Sequence, residues 1–67
     1  MAVIKIIELI GTSDKSFEDA VAQVEERARK TIRNVKGIHI IDQKAHCGKN
    51  GKIQEYRSVC KVAFLLE

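Results

Sequence analysis

The chain has no tryptophan, no proline and only two cysteines among its 67 residues. Cys47 and Cys60 cannot supply the disulfide framework that holds many small domains together, and no CxxC or HxxxH pair marks a zinc site. Without proline there is no proline-rich linker. No repeat or low-complexity segment is present either, so residues 1–67 are read as one domain. No apolar run approaches the ~20 residues of a membrane span. The apolar segment Ala2–Ile10 is interrupted by Lys5 and Glu8, and it lacks the basic start and small-residue cleavage site of a secretory leader. Together with unpaired cysteines, this points to the cytoplasm. Excess charge is scarce: 12 Lys and Arg against 9 Asp and Glu leave +3. That is too little to indicate nucleic acid unless it gathers on one face.

What is present is alternation. In Lys52–Leu66, the residues Tyr56, Ser58, Cys60, Val62, Phe64 and Leu66 share one parity, while Val59, Ala63 and Leu65 share the other with Arg57 and Lys61. A strand shows its parities on opposite faces, so this strand is apolar on both. Ala2–Ile10 reads as another strand with two apolar parities, Val3/Ile7/Leu9 and Ile4/Ile6/Ile10, broken by Gly11-Thr12-Ser13. One helix covers one sheet face. The second face then needs another copy of the chain, and small domains without disulfides or metals commonly oligomerise for this reason.

Phe17, Ala20, Val21, Val24, Ala28, Ile32 and Val35 recur at helical spacing. Ser16 with Asp19 fits a capping box, and Ser13 is a rival cap one turn earlier. Acids (Asp14, Glu18, Asp19) open the helix and bases (Arg29, Lys30, Arg33, Lys36) close it, as the helix dipole favours. Asn34 to Gly37 supplies the stop, with Gly37 as the left-handed residue beyond the helix. Ile38–His46 is the second strand, and Lys49-Asn50-Gly51-Lys52 carries the Asn-Gly signal of a tight hairpin. The fold class expected is α+β. The order is β-α-β-β, with a three-stranded sheet ordered 1-3-2 and the helix on one face.

The chemistry-bearing residues are few. Gly11-Thr12-Ser13 before a helix could hold an anion or simply cap it. Gly48-Lys49-Asn50-Gly51 matches the GxxG of RNA-clamping domains, but it joins strands rather than helices. Among metal-binding residue types, His39 and Cys47 share one parity of the second strand, and Asp42 and His46 share the other. Four ligands therefore do not converge within one chain, and no metal site is expected. Cys60 reads as a small buried hydrophobe. No nucleophile, base and orienter stand at recognisable spacing, so no enzyme activity is expected. Arg57 and Lys61 flank Val59 on one strand face, which at an interface would suit an anion or a planar ligand. RNA contacts through Lys44, Lys49, Lys52 and Arg57 are the less favoured reading.

Several short stretches, in order and spacing, resemble the dodecins: Gly11-Thr12-Ser13 after an apolar strand, Ser16-Phe17 opening the helix, Ala28-Arg29-Lys30-Thr31 near its end, Ile41-Asp42-Gln43, Glu55-Tyr56 and Val62-Ala63-Phe64. The resemblance spans nearly the whole chain. It implies a three-stranded antiparallel sheet wrapped around one helix, and twelve copies assembled into a hollow shell that binds and stores a small molecule without catalysis. It further implies a flavin (riboflavin, FMN or FAD) stacked on a tryptophan just after the helix and hydrogen-bonded by a glutamine after the third-strand tyrosine. Those two positions fall on Gly37 and Arg57, and Asp42 and Tyr56 complete the pocket positions carried over. A missing stacking face is worth ~1–3 kcal/mol by analogy with base–aromatic stacking. The resemblance thus implies a degenerate flavin pocket, with flavin bound weakly or not at all. An ion-binding or purely structural shell is the alternative.

Overall fold

The structure, a computed structural model, describes residues 1–66. Strand β1 (Ile4–Ser13), helix α1 (Phe17–Thr31), strand β2 (Val35–Cys47) and strand β3 (Ile53–Leu65) follow one another, as the sequence predicts. The strands form one antiparallel sheet in the order β1-β3-β2. The helix lies on one face of it, closer to β1 and β3 than to β2.

Local chemistry sets the boundaries. Ser16 is the N-cap, and its hydroxyl accepts from the Asp19 amide at 2.9 Å. Ser13 serves a different purpose from the rival cap expected of it. Its hydroxyl donates to the Asp19 carboxylate at 2.6 Å and accepts from the Lys15 amide at 2.9 Å, tying the end of β1 to the first helical turn. The helix is shorter than its periodicity suggests: Ile32 is the C-cap, and Val35 already belongs to β2. The left-handed residue of this junction is Asn34 (φ 59°), not Gly37, which lies inside β2. Asparagine tolerates that conformation because its short polar side chain bonds locally.

Gly11 does not break β1 either; the strand continues through it to Ser13. A methyl group at Gly11 would sit 2.0 Å from the Ala20 carbonyl oxygen and 2.7 Å from Val24 Cγ2. The glycine is therefore required by close strand–helix packing rather than by a turn. The β2–β3 hairpin is wider than a two-residue turn. Residues 48–52 connect the strands, the Gly51 amide donates to the Gly48 carbonyl at 3.0 Å, and Gly51 takes φ 79°.

The core is small. Val24 and Ala28 of the helix meet Cys60 and Val62 of β3, with Ile7, Leu9, Val21, Ile32, Val35 and Ile38 packed around them. Only one sheet face is served by it. On the outer face Ile4, Ile6 and Ile10 are 49%, 58% and 59% exposed. The shape agrees: the Cα radius of gyration is 13.8 Å, against ~11 Å for a compact domain of this length. The accessible surface is 5102 Å², about a fifth more than the ~4,250 Å² of a compact monomer of this mass. No helix among the described residues is long and apolar enough to cross a membrane.

Candidate functional site

Residues directly opposite in an antiparallel pair share a face, so the register assigns every outer-face position. Four rows cross the sheet there. Ile6, Ala63 and Gly37 form one, Glu8, Lys61 and His39 the next, and Thr12, Arg57 and Lys44 another. Between the last two rows Ile10 and Val59 are joined by Asp42.

The β2–β3 register slips at three points, Val35/Gly37, Ile40/Asp42 and His46/Cys47, and the second of them shapes the outer face. Ile40 pairs with Cys60 and Asp42 with Val59, so Ile41 is an extra residue in a bulge. The bulge brings His39, Asp42, Lys44 and His46 to the same face, whereas alternation would divide His39 from Asp42 and His46. They remain spread out. His39 pairs with Lys61 and His46 with Glu55, six residues apart along β3 and hence ~20 Å. Among the described residues, no group of three or more His, Cys, Asp or Glu side chains could hold a metal ion.

The four pocket positions are not brought together in one chain. Gly37, Asp42 and Arg57 lie on the outer face. Tyr56 points inward, its ring edge-on to Phe17 at 5.0 Å and 82°. Gly37 pairs with Ala63 and Arg57 with Lys44, a separation of ~20 Å along β3. Arg57 and Lys44 face each other as like charges, and each turns to a carboxylate on its own strand. Arg57 Nε meets Glu55 Oε1 at 2.5 Å, and Lys44 Nζ meets Asp42 Oδ2 at 3.8 Å.

Around Gly37 the surface is different. A methyl group there would meet no atom within 4 Å. The space belongs to a depression of about 250 Å³ lined by Ile6, Gly37, Ile38, His39, Lys61 and Ala63. Its floor is apolar because two small residues, Gly37 and Ala63, pair directly. Lys61 is the residue that sequence reasoning did not place beside Gly37. The signal that could have found it is its position two residues before Ala63, on the same parity. A wider hollow at the hairpin tip, bounded by Gly48, Lys49, Asn50, Lys52, Ile53 and Gln54, is open surface.

The cysteines are chemically unlike. Burial pushes the Cys60 thiol up, away from the reactive thiolate. Cys47 is free and exposed at the end of β2.

Comparison with known proteins places this geometry. The Dodecin family model matches residues 3–67. The calcium dodecin of Mycobacterium tuberculosis is 38% identical over 64 residues, covering 96% of this chain and 89% of that protein. Its crystal structure, described as calcium-chelating with a novel calcium-binding site, superposes with a TM-score of 0.85 at 35% identity, covering 97% of this chain and 91% of that one. The dodecin of Thermus thermophilus is 37% identical over 65 residues, covering 97% and 93%. A crystal structure of its tryptophan-to-phenylalanine variant superposes with a TM-score of 0.93 over 100% of this chain and 98% of that one, at 36% identity. The same strand order, the same single helix and a family match across nearly the full length lead to one conclusion: this chain belongs to the dodecin family.

Proposed function

We propose that the chain is the subunit of a homododecameric, non-catalytic shell that binds and stores a small flat ligand where copies meet, with a flavin pocket that has lost its stacking ring. The observation that carries this is the apolar outer face, on which Ile4, Ile6 and Ile10 stand about half exposed or more. A core of a few small side chains beneath so much uncovered apolar surface suits a subunit better than a monomer. Because Gly37 and Arg57 lie ~20 Å apart along the sheet of one chain, the pocket carried over from the family needs residues from more than one copy. The two free cysteines and the membership of a small-ligand-binding family suit a cytoplasmic storage role.

Light scattering should give twelve times 7.5 kDa, about 90 kDa. A stable folded monomer at micromolar concentration sinks the assembly. Riboflavin titrated by fluorescence quenching should bind the wild-type protein weakly, Gly37→Trp more tightly and Gly37→Trp/Arg57→Gln most tightly. The open space at Gly37 and its ordinary backbone leave room for the new ring. A folded double variant with no gain in affinity means the pocket lies elsewhere.

A second reading, an ion-binding shell, is favoured by the name and the 38% identity of the M. tuberculosis relative. Since no single chain gathers three candidate ligands among the described residues, such a site would have to collect copies of one carboxylate around a symmetry axis. Calcium measured in the dialysed oligomer, in stoichiometry with its subunits, tests it.

A further inference from the structure

We propose that Asn50 is a site of spontaneous self-modification: the tip of the β2–β3 hairpin converts its own asparagine amide into a carboxylate through attack by the Gly51 backbone nitrogen. The proposal uses residues of a single hairpin and is independent of how copies assemble.

The electrophile is Asn50 Cγ. Its Oδ1 accepts a hydrogen bond from the Lys52 amide at 3.0 Å, within the span of about 2.7–3.1 Å at which backbone N–H groups stabilise an oxyanion. The donor draws electron density from Cγ and offsets the negative charge that Oδ1 gains when Cγ is attacked. The nucleophile is the amide nitrogen of Gly51. Glycine has no side chain to shield it, and both residues are exposed. Lys49 and Lys52 flank the pair in sequence and favour hydroxide, the base that removes the Gly51 proton. One bond opposes the reaction: the Gly51 N–H donates to the Gly48 carbonyl at 3.0 Å. It closes an exposed turn, where backbone bonds open locally at little cost, and its opening sets the pace.

The deprotonated Gly51 nitrogen bonds to Cγ and closes a five-membered imide. The bond from Cγ to the side-chain nitrogen breaks, and that nitrogen leaves as ammonia, taking its third proton from water. Water then opens the imide. Cleavage between Cγ and the Gly51 nitrogen leaves an ordinary aspartate; cleavage at the backbone carbonyl leaves isoaspartate, with the main chain rerouted through the side chain. The net reaction consumes one water and releases one ammonia, with no oxidation or reduction. Each event lowers the formal charge of the chain from +3 to +2. Asn34, the other asparagine, lacks these features. The branched Val35 follows it and pairs with Phe64 in the sheet, and the Asn34 carbonyl accepts from the Leu65 amide at 3.1 Å.

The test ages the full-length protein in mildly alkaline buffer at physiological temperature. Cation exchange follows the charge, and peptide mapping with an isoaspartate-specific methyltransferase locates the product. A more acidic form should accumulate, carrying the mass of an amide-to-acid exchange at Asn50, with Asn34 at least tenfold slower. Asn50→Gln, whose ring closure would be six-membered, should form no acidic species over the same period. Asn50→Asp should elute with the aged form from the start. Lys52→Pro removes the donor to Oδ1 and should slow conversion severalfold, its folding checked by circular dichroism. A synthetic peptide of residues 46–54 is the unfolded reference. Wild-type Asn50 that stays intact while the peptide converts overturns the proposal, because the turn then protects the amide. Equal conversion at Asn34 and Asn50 overturns it too, as does an acidic form that persists in Asn50→Gln. An unchanged rate in folded Lys52→Pro overturns the role given to the Lys52 amide.

Discussion

Replacing Gly11 with alanine probes the tightest strand–helix contact in the molecule. The added methyl would lie 2.0 Å from the Ala20 carbonyl oxygen and 2.7 Å from Val24 Cγ2. A side chain can rotate away, but a helix carbonyl hydrogen-bonded in the next turn cannot. Relief therefore requires β1 and α1 to separate along the line that holds the core together. Overpacking a well-filled core costs ~1–3 kcal/mol and occasionally more, and the backbone clash places this site at ~3 kcal/mol or above. A domain of this size has only ~3–10 kcal/mol of stability in all. At ~4–8 °C per kcal/mol, the melting temperature should fall by ~12 °C or more. The assay is thermal unfolding by circular dichroism at one fixed protein concentration, since assembly makes the midpoint concentration-dependent. Gly37→Ala is the matched control. It adds the same methyl where no atom lies within 4 Å, and it should melt within ~2 °C of wild type. If Gly11→Ala also melts within ~2 °C of wild type, the close approach is not what requires glycine there.

Val24→Asp places a carboxylate in the core beside Ala28, Cys60 and Val62, and should cost several kcal/mol; denaturant unfolding with an unchanged midpoint contradicts the packing described. Ser16→Ala removes the hydroxyl that accepts from the Asp19 amide and should cost ~1 kcal/mol, read as a shift in the same denaturant midpoint. A thiol reagent applied to the native protein should leave Cys60 unmodified until denaturant is added, because its side chain is fully buried and its thiol is pushed up. Rapid native labelling of Cys60, located by peptide mass, contradicts that burial.

The elements were legible because each was over-specified. The helix had spacing, a cap and dipole-matched charges, and β3 had an unbroken alternation. The errors fell where one residue type serves two purposes. Gly11 and Gly37 both looked like punctuation, yet one permits close helix packing and the other lies flat in a strand. The left-handed position fell to Asn34, which the local pattern allowed equally well. The site was less legible than the fold for a geometric reason. Parity correctly separates Tyr56 from Arg57, but parity carries no distance. Only the register reveals that Gly37 keeps company with Ala63 and Lys61, and that Arg57 belongs to a patch with Lys44 at the other end of the sheet.

The extra residue at Ile41 works like a phase slip in a two-beat rhythm. Between Gly37 and Ile41, the odd-numbered positions of β2 look outward, as at Gly37 and His39; downstream, the even-numbered ones do, as at Asp42, Lys44 and His46. The stretch from Gly37 to His46 thus carries two coding frames, joined by the one extra residue between them. The frame before Ile41 is constrained by the core through Ile38. The frame toward the hairpin is exposed at every position from Ile41 to Cys47. Variation in the distal frame can therefore redecorate the outer surface while the proximal frame keeps the core in step.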